Sequence, residues 1–302
     1  MAEIALLDGG NGQEIVARSG KPSHPQWSLQ VMLDAPGIVA DVHRAYIAAG
    51  ARVITVNAYA ATPPRMARDG DAAQFEAAQA RAIRIAQDAR RTAGAAGEGV
   101  RIAGCLPPLV ASFHAEVAPD YAESLGHYRR IVAAQADGVD LFLIETMSNV
   151  AEARAALDAA RETAVPVYLG LTISDDMSDT LRSGEDLAEA VATLAEGRPD
   201  GLLLNCSTPE AITRALPILA RTGLRFGAYA NGFVAADALA PGGTVASLET
   251  RSLGPEVYAG FAEDWIAQGA TIVGGCCEVG PAHIALLAER LRAAGHTVIA
   301  LG

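Results

Sequence analysis

Cysteines are the residues of this chain with the clearest capacity for chemistry. Two of the four, Cys276 and Cys277, are adjacent in the segment TIVGGCCEVGPAHI, directly after a strand-like run and two glycines. Neighbouring cysteines make a poor disulfide pair, because disulfides usually join Cα atoms about 4.4–6.8 Å apart whereas consecutive Cα atoms lie about 3.8 Å apart. The spacing also differs from a redox C-x-x-C motif. The pair therefore indicates a metal ligand set or a catalytic role.

The other two cysteines each close an apolar run, Cys105 in VRIAGCL and Cys206 in GLLLNC. Cys206 joined to the adjacent pair would give three thiolates, a soft donor set for zinc that leaves one position for a substrate. The alternative is that these side chains are small buried hydrophobic groups, the common fate of free cysteine. That alternative is favoured for Cys105 and stays open for the other three.

Eight short apolar runs must position these residues. Continuous apolar runs are typical of parallel strands buried on both faces, and the alanine-rich segments between them are long enough for crossover helices. The runs cover residues 4–10, 52–58, 100–106, 141–146, 167–173, 201–206, 225–231 and 271–277. Helical spacing is clear in residues 71–91 and 280–294, the second opened by Pro281.

Eight strand–helix units in succession predict an α/β fold of the (β/α)₈ barrel type, a single domain over residues 1–302. The alternative is an open dinucleotide-binding sheet with DGGNGQE as its phosphate loop. The glycine spacing there does not match the dinucleotide fingerprint, and NAYAAT stands where an acidic residue would be expected after the second strand.

Polar and thiol side chains end most of the predicted strands. In such a barrel the chemistry collects at the carboxyl ends of the strands, and the sixth and eighth strands lie only two apart. Cys206 is therefore expected near the adjacent pair. The residues predicted to share this rim are Asp8, Asn57, Cys105, Glu145, Cys206, Asn231, Cys276 and Cys277.

Composition limits the function classes. The 302 residues are 51% hydrophobic and 19% charged, with a formal net charge of -12, which argues against nucleic acid or an anionic membrane as a partner. The amino-terminal segment lacks a signal-peptide pattern, so a cytoplasmic location is expected. Lys21 is the only lysine and sits in a loop-like segment, which argues against Schiff-base chemistry.

The six histidines lack the spacing of paired metal ligands on one helix face. His43, His127 and His283 fall in helical segments and are expected to be structural, whereas His114 follows the third strand and is a candidate for the site. A metal-dependent hydrolase or aldolase would usually need the histidine and carboxylate ligands that this rim lacks.

The chain resembles the zinc-dependent homocysteine S-methyltransferases, a family whose members use donors such as S-methylmethionine or betaine. The resemblance runs from the first strand to the last. Its motifs are LLDGGNGQE, WS, VHRAYIAAGARVITVNAYAAT, GCLPP, GVDLFLIET, LLLNCSTPE, YANG and WIAQGATIVGGCCEVGPAHI. The NC segment paired with a late GGCC is the most specific of these.

The resemblance implies a cytoplasmic enzyme of methionine biosynthesis that transfers a methyl group to the zinc-bound thiolate of homocysteine. The family's Zn²⁺ ligands map onto Cys206, Cys276 and Cys277. Its acidic pocket residues map onto Asp8 and Glu145, expected to bind the substrate and to serve catalysis by orienting it. Asn57, Asn231 and backbone amides near DGG are further candidates for substrate binding, including the homocysteine carboxylate. A turn-capping role for Asp8 is an equal alternative.

Two residues depart from the family pattern: Glu278 stands where a glycine is expected, and Cys105 where a small polar residue is expected. Glu278 is expected in the first turn of the last helix, or alternatively in the donor pocket.

The donor is expected to be a small onium molecule, because eight strand–helix units leave no room for a donor-presenting domain. A sulfonium such as S-methylmethionine or S-adenosylmethionine is favoured over betaine, since a trimethylammonium group usually needs an aromatic cage. The candidates for such a cage are Trp27, Tyr59, Phe113, Tyr229 and Phe233. The alternatives are betaine as donor, a related thiol or selenol acceptor, and a non-catalytic zinc-binding protein. The oligomeric state stays open.

Overall fold

The computed structural model describes residues 1–240, 243 and 245–302, with only the backbone of Asp237. Nine parallel strands form one sheet, in the order β2-β3-β4-β5-β6-β7-β8-β1-β9. Their bounds are β1 Glu3–Leu6, β2 Val53–Thr55, β3 Arg101–Leu106, β4 Leu141–Met147, β5 Val167–Leu171, β6 Gly201–Asn205, β7 Phe226–Tyr229, β8 Ile272–Val273 and β9 Thr297–Ile299.

Pairing between the first two strands closes the sheet into a barrel. Leu7, just after β1, forms a parallel bridge with Val53 of β2, and the Arg52 amide donates to the Leu6 carbonyl at 2.8 Å. Strand β9 pairs with Glu3–Ala5 of β1, which precede this bridge in the chain. The predicted (β/α)₈ barrel is confirmed, with β9 as a short addition that the sequence pattern did not indicate.

Helices fill the connections between the strands. Their bounds are α1 Asn11–Ser19, α2 Trp27–Asp34, α3 Pro36–Ala49, α4 Pro63–Asp69, α5 Phe75–Thr92, α6 Tyr121–Gln135, α7 Val150–Arg161, α8 Leu187–Ala195, α9 Pro209–Ala220, α10 Pro255–Ala267 and α11 Pro281–Ala293. Five of them, α3, α4, α9, α10 and α11, carry proline in the first turn, where its fixed φ suits the helix and its missing N–H is harmless.

Side-chain caps fix the start of several helices. Asp120, Asn149 and Asp186 each accept a hydrogen bond from the amide three residues later, at the starts of α6, α7 and α8. These caps satisfy amide groups that the first turn of a helix leaves unpaired.

Two apolar layers hold the barrel together. An inner cluster that includes Leu7, Leu143, Tyr168, Leu203 and Tyr229 fills the barrel, and a larger outer cluster packs between the sheet and the helices. Among the described residues, no helix is long and apolar enough to cross a membrane.

Six of the eight predicted strands extend further at their carboxyl ends than the observed ones, whereas β3 ends at the predicted Leu106 and β4 runs one residue further, to Met147. The eighth is the clearest case, since residues 271–277 were expected and only Ile272–Val273 are paired. Beyond Val273 the chain turns across the top of the barrel, because Gly274 and Gly275 pack directly against Leu7 and Val279. The residues predicted to end strands therefore lie mostly in the loops that form the rim.

Candidate active site

Three cysteines meet at the carboxyl end of the barrel. The sulfur atoms of Cys206, Cys276 and Cys277 all lie within 4.8 Å of one another, and all three cysteines are free thiols. The Cys276 thiol donates to the Cys206 sulfur at 2.8 Å, and this contact, supported by Cys277, lowers the pKa of the Cys206 thiol. The structure thus brings together the three cysteines that the sequence selected, in a group that could hold a metal ion.

The backbone turns sharply at Cys206 to present its sulfur. Its φ of 52° lies in the left-handed region, which residues other than glycine rarely adopt. The conformation is held through its amide, which donates to the Tyr229 carbonyl at 3.1 Å, and through its carbonyl, which accepts from the Asn231 side chain at 2.8 Å. A non-glycine residue fixed in this region is typical of a functional site.

The glycines of DGG allow the Cys276–Cys277 loop to pack against the end of β1. A methyl group on Gly9 would lie 2.1 Å from the Val279 carbonyl oxygen, and one on Gly10 would lie 2.6 Å from the Cys276 carbonyl oxygen. Side chains at these positions would therefore push the cysteine loop away. The DGG turn and the Cys276–Cys277 loop, which are far apart in sequence, therefore pack against each other.

Asp8 is buried and Glu145 is half-buried, and both carboxyl groups line one cavity of about 120 Å³ together with all four cysteines. Burial raises the pKa of Asp8 to about 7, although the Thr55 amide donates to its Oδ2 at 2.8 Å. Burial raises the pKa of Glu145 to about 8, and the nearby Asp8 carboxyl adds to this rise. Two such groups in one cavity favour a cationic ligand, which would stabilise their charged forms.

Asp8 does not cap its own turn through an amide of the glycines. Its carboxylate accepts from Thr55 on β2, from the amide at 2.8 Å and from the hydroxyl at 3.2 Å. Both oxygens therefore connect β1 to β2 at the seam where the barrel closes.

A local irregularity in β4 positions Glu145. The pairing of β4 with β5 shifts register between Ile144 and Met147, and Thr146 has a φ of 62°. Asn205 holds this conformation, accepting from the Thr146 amide at 2.9 Å and donating to its hydroxyl at 3.0 Å. Bulges of this kind redirect side chains beside active sites. The sequence analysis missed Asn205, although its place beside Cys206 in the NC motif was a usable signal.

The side chains of Asn57 and Asn231 form hydrogen bonds with other groups of the protein. Asn57 accepts from the Ser28 hydroxyl at 2.7 Å and donates to the Ser28 carbonyl at 3.1 Å. Asn231 donates to the Cys206 carbonyl and accepts from the Phe233 amide at 3.2 Å. The first lines the cavity, whereas the second has no exposed surface. Their predicted contact with substrate stays a prediction.

Cys105 contacts a site residue without joining the sulfur cluster. Its thiol donates to Glu145 Oε1 at 3.1 Å, and its side chain is buried. Burial, followed by the charge of Glu145, raises the pKa of this thiol well above the usual value. Cys105 is therefore a neutral hydrogen-bond donor to the carboxylate.

The aromatic candidates do not form a closed cage. Trp27 and Tyr59 meet edge to face with ring centres 6.0 Å apart, and both line the cavity with Phe113 and Tyr229. The Phe113 ring, however, already holds the Arg182 guanidinium at 4.8 Å, and Tyr229 belongs to the inner cluster of the barrel. Phe233 is fully buried among the apolar residues beside the cysteines.

Arg182 is a buried cation behind Cys206 that the sequence analysis did not select. Its guanidinium pairs with Asp175 at 3.0 Å and donates to the Thr172 hydroxyl at 3.0 Å. It also approaches the Cys206 carbonyl at 3.5 Å. A positive charge here favours thiolate at Cys206. Nothing in the local sequence distinguishes this arginine from a surface arginine.

The expectation that Glu278 lies in the first turn of the last helix is wrong, because α11 begins at Pro281. Glu278 is a left-handed residue with φ of 67°. Its amide donates to Gln13 Oε1 at 2.7 Å, and the Gln13 amide group donates back to its carboxylate. This reciprocal pair ties the cysteine loop to α1.

Four of the histidines are buried or contact other groups of the protein. His43 is fully buried in α3, and burial lowers its pKa to about 4. His127 lies near Glu123 on α6, and His283 contacts the Leu253 carbonyl at 2.8 Å. The His114 ring contacts Glu116 and the Leu239 carbonyl.

Known proteins resemble this chain over almost its whole length. The chain is 32% identical to homocysteine S-methyltransferase from Escherichia coli, with 95% of each protein covered. It is 28% identical to homocysteine S-methyltransferase 4 from Zea mays, covering 96% of this chain and 90% of that protein. A selenocysteine methyltransferase from Astragalus bisulcatus is 27% identical, covering 92% and 89% respectively.

Solved structures agree with the sequence comparison. The homocysteine methyltransferase MmuM from Escherichia coli, in its metallated form, superposes with a TM-score of 0.79 and 26% identity, covering 95% of this chain and 96% of that one. The sequence model for homocysteine S-methyltransferase matches residues 5–291. This protein therefore belongs to the homocysteine S-methyltransferase family.

Proposed function

We propose that this protein transfers a methyl group from a small sulfonium donor to the thiolate of homocysteine, forming methionine, with Zn²⁺ held by Cys206, Cys276 and Cys277. The observation that carries the proposal is the placement of three converging sulfurs and two carboxyl groups around one cavity. Residues 1–302 would act together as the homocysteine-binding barrel.

The three cysteines suit zinc. Zn–S bonds of about 2.3 Å in a tetrahedral site put sulfurs about 3.8 Å apart, which small side-chain adjustments of a cluster within 4.8 Å can reach. Three buried thiolates without a cation would be costly. When bound, zinc lowers the pKa of the homocysteine thiol, so that a nucleophilic thiolate is present at neutral pH.

The carboxyl groups of Asp8 and Glu145 are proposed to bind the homocysteine ammonium. In the empty cavity their raised pKa values leave them partly protonated at neutral pH. An arriving ammonium would favour the charged carboxylates. Cys105 would keep Glu145 oriented through its thiol hydrogen bond. The result is an acceptor held at both ends, which lowers the entropic barrier to in-line attack.

The limited aromatic surface supports a sulfonium donor over betaine. A trimethylammonium group is best bound by several aromatic faces. Here Arg182 occupies the face of Phe113, and Phe233 is fully buried. Arg65 lies over the Tyr59 ring in the same way, which leaves Trp27 as the main aromatic surface of the cavity. Asp8 and Glu145 supply negative potential for any onium group.

A reducing compartment such as the cytoplasm would keep the cysteines available as metal ligands, since four free thiols are compatible with that location. Homocysteine and the donor are small molecules, and the proposed reaction needs no macromolecular partner.

A donor screen tests the proposal. The reduced, zinc-loaded protein is mixed with homocysteine and equal concentrations of S-methylmethionine, S-adenosylmethionine or betaine, and methionine is measured by mass spectrometry. We expect faster initial rates with a sulfonium than with betaine. A faster rate with betaine would refute the donor assignment and retain the zinc-thiolate chemistry.

A parallel reaction with selenocysteine as acceptor tests the activity named for the Astragalus relative. Zinc binding without transfer to either acceptor would instead identify a metal-handling protein and refute the proposed enzyme activity.

A further inference from the structure

Arg65 is a cation on the wall of the cavity that the proposed chemistry does not yet use. It lies on α4, just after β2, and lines the same cavity as Asp8, Glu145 and the cysteines. Its guanidinium sits over the Tyr59 ring, 5.3 Å from the ring centre. A permanent positive charge would oppose a donor that carried only a cation, so its presence in this cavity requires an explanation.

Among the described residues, Arg65 forms no ion pair. One Nη atom donates to the Pro108 carbonyl at 3.1 Å and approaches the Ser112 hydroxyl at 3.5 Å. Its Nε is buried without a hydrogen-bond partner, and the other Nη atom has no hydrogen bond among those residues. The guanidinium thus has unused donor capacity on the cavity wall, where desolvation makes an unpaired charge costly.

The nearest compensating carboxyl group serves other partners. Glu152 interacts with Arg65 through space, but its carboxylate accepts from the Leu109 amide at 2.8 Å and from the Tyr128 hydroxyl at 3.2 Å. Burial also raises the pKa of Glu152, which weakens it as a counter-charge. The charge of Arg65 is therefore incompletely neutralised by the protein.

The neighbouring arginine on α4 is different. Arg68 forms two hydrogen bonds to Asp69, at 2.9 and 2.6 Å, and a third to the Val110 carbonyl. Its side chain is also more exposed to solvent. Arg68 also lines the cavity, so it provides a matched control on the same helix, with its charge already paired.

We propose that Arg65 binds the carboxylate of the methyl donor and so selects donors that carry both an onium centre and a carboxylate. This inference rests on the proposed methyltransferase function. A planar guanidinium can bind a carboxylate through two parallel hydrogen bonds. In the acceptor, by contrast, the sulfur is assigned to the cysteines and the ammonium to Asp8 with Glu145.

Two aromatic rings line the cavity beside Arg65. Trp27 lines the cavity and contacts Tyr59, whose ring lies under Arg65. In an amino-acid sulfonium, three C–C bonds and one C–S bond place the carboxylate carbon about 5 Å from the sulfur. The proposal places the sulfonium against Trp27 and its carboxylate on Arg65, two residues that line the same cavity.

The test compares two donors that differ only in the carboxylate: S-methylmethionine and dimethyl(3-aminopropyl)sulfonium. Arg65→Gln should lower kcat/KM for S-methylmethionine by about 10- to 100-fold, the usual range for losing a charge-assisted hydrogen bond, and change that for the decarboxylated donor by less than about twofold. Arg65→Lys should recover part of the loss, because it keeps the charge without the planar fork. Arg68→Gln should behave like the wild type with both donors.

Equal losses with both donors would assign Arg65 a structural role at the Pro108 loop and overturn the proposal. A rise confined to the KM of homocysteine, absent with 3-aminopropane-1-thiol as acceptor, would move the contact to the acceptor carboxylate and also overturn it. If wild-type protein forms no methionine, the proposed function fails. Calorimetric titration with S-methylmethionine then decides the inference independently: binding weakened by Arg65→Gln supports it, and no binding or unchanged binding refutes it.

Discussion

At the scale of single residues, the site of the empty protein contains both acidic and cationic side chains. Cys206 and Asp8 are buried and Glu145 is half-buried, and all three become anionic when ionised. Arg182 and Arg65 lie close by, one paired with Asp175 and the other without an ion pair among the described residues. Cations and zwitterions would neutralise such a constellation, which is the expected property of a binding site.

The metal ligands can be separated from the fourth cysteine by substitution. Cys206→Ala, Cys276→Ala and Cys277→Ala should each remove most bound zinc, because two thiolates and water form a weaker site. Cys105→Ser should retain about one zinc per chain, since its thiol bonds to Glu145 instead. Elemental analysis of the reduced, dialysed proteins measures this. Full occupancy in any of the three alanine variants would remove that cysteine from the ligand set.

Glu145→Gln should impair homocysteine use while zinc stays bound. The variant loses a charge-assisted hydrogen bond to the ammonium, typically about 1.5–3 kcal/mol, which corresponds to about a 10- to 150-fold loss of kcat/KM. Steady-state kinetics measure the loss, with 4-mercaptobutanoate as a control acceptor that lacks the amino group. The control acceptor should show little additional loss in the variant. Equal losses for the two acceptors would contradict an ammonium contact.

At the scale of elements, the rim is formed by short loops that pack closely at glycine positions. The cysteine loop after β8 rests on the glycine turn after β1 and is tied to α1 by Gln13 and Glu278. Strand β4 contributes Glu145 through a register shift held from β6 by Asn205. Each active group is therefore positioned by an element other than its own.

Gly10→Ala should weaken zinc binding through this packing. The added methyl group would lie 2.6 Å from the Cys276 carbonyl oxygen and 3.2 Å from the Cys277 Cα, so the loop must shift. Changes that reorient metal ligands typically reduce metal affinity about 10- to 100-fold. Competition with a zinc chelator measures the affinity.

Gly37→Ala is the control for this change. Gly37 lies in α3 with open space around its Cα hydrogen, so alanine there should leave zinc affinity unchanged and slightly favour the helix. Equal zinc affinities for Gly10→Ala and Gly37→Ala would show that the glycine turn does not position the cysteine loop.

At the scale of the whole molecule, the buried carboxyl groups reduce the stability of the empty barrel at high pH. The pKa of Glu145 rises from 4.5 when unfolded to about 8 when folded. A raised pKa gives stability that is complete below pH 4.5 and is lost as the pH rises toward 8. Binding groups held in an unfavourable environment are a usual origin of stability–activity trade-offs.

Glu145→Gln should therefore raise the Tm of the metal-free protein by a few degrees at pH 8, with a much smaller difference at pH 5. Glutamine removes the cost of ionising a buried group. Scanning calorimetry of both proteins under chelator and reductant, from pH 5 to 8, measures the gap. Glu162→Gln is the control, since Glu162 is an exposed partner of Arg129 and should give no gain that grows with pH. A constant gap for Glu145→Gln would contradict the raised pKa.

Much of this protein was determined by its sequence alone. Buried parallel strands need continuous apolar runs, so the barrel and the positions of its eight strands were readable from local pattern, although most strands end earlier than predicted. The pattern also predicted that Cys206 lies beside Cys276 and Cys277, because only one strand separates the sixth strand from the eighth in any such barrel. The glycines of DGG and GGCC were visible as motifs, but their role in close loop packing was not.

Only the tertiary structure decided the contacts that join distant segments. Asp8 meets Thr55 across 47 positions, Cys105 meets Glu145 across 40, and Thr146 meets Asn205 across 59. The placement of Glu278 outside the last helix and the incomplete pairing of Arg65 also emerged there. The physical reason is that charge pairing, burial and left-handed turns depend on which segments the closed barrel brings together, and local sequence periodicity carries no record of those partners.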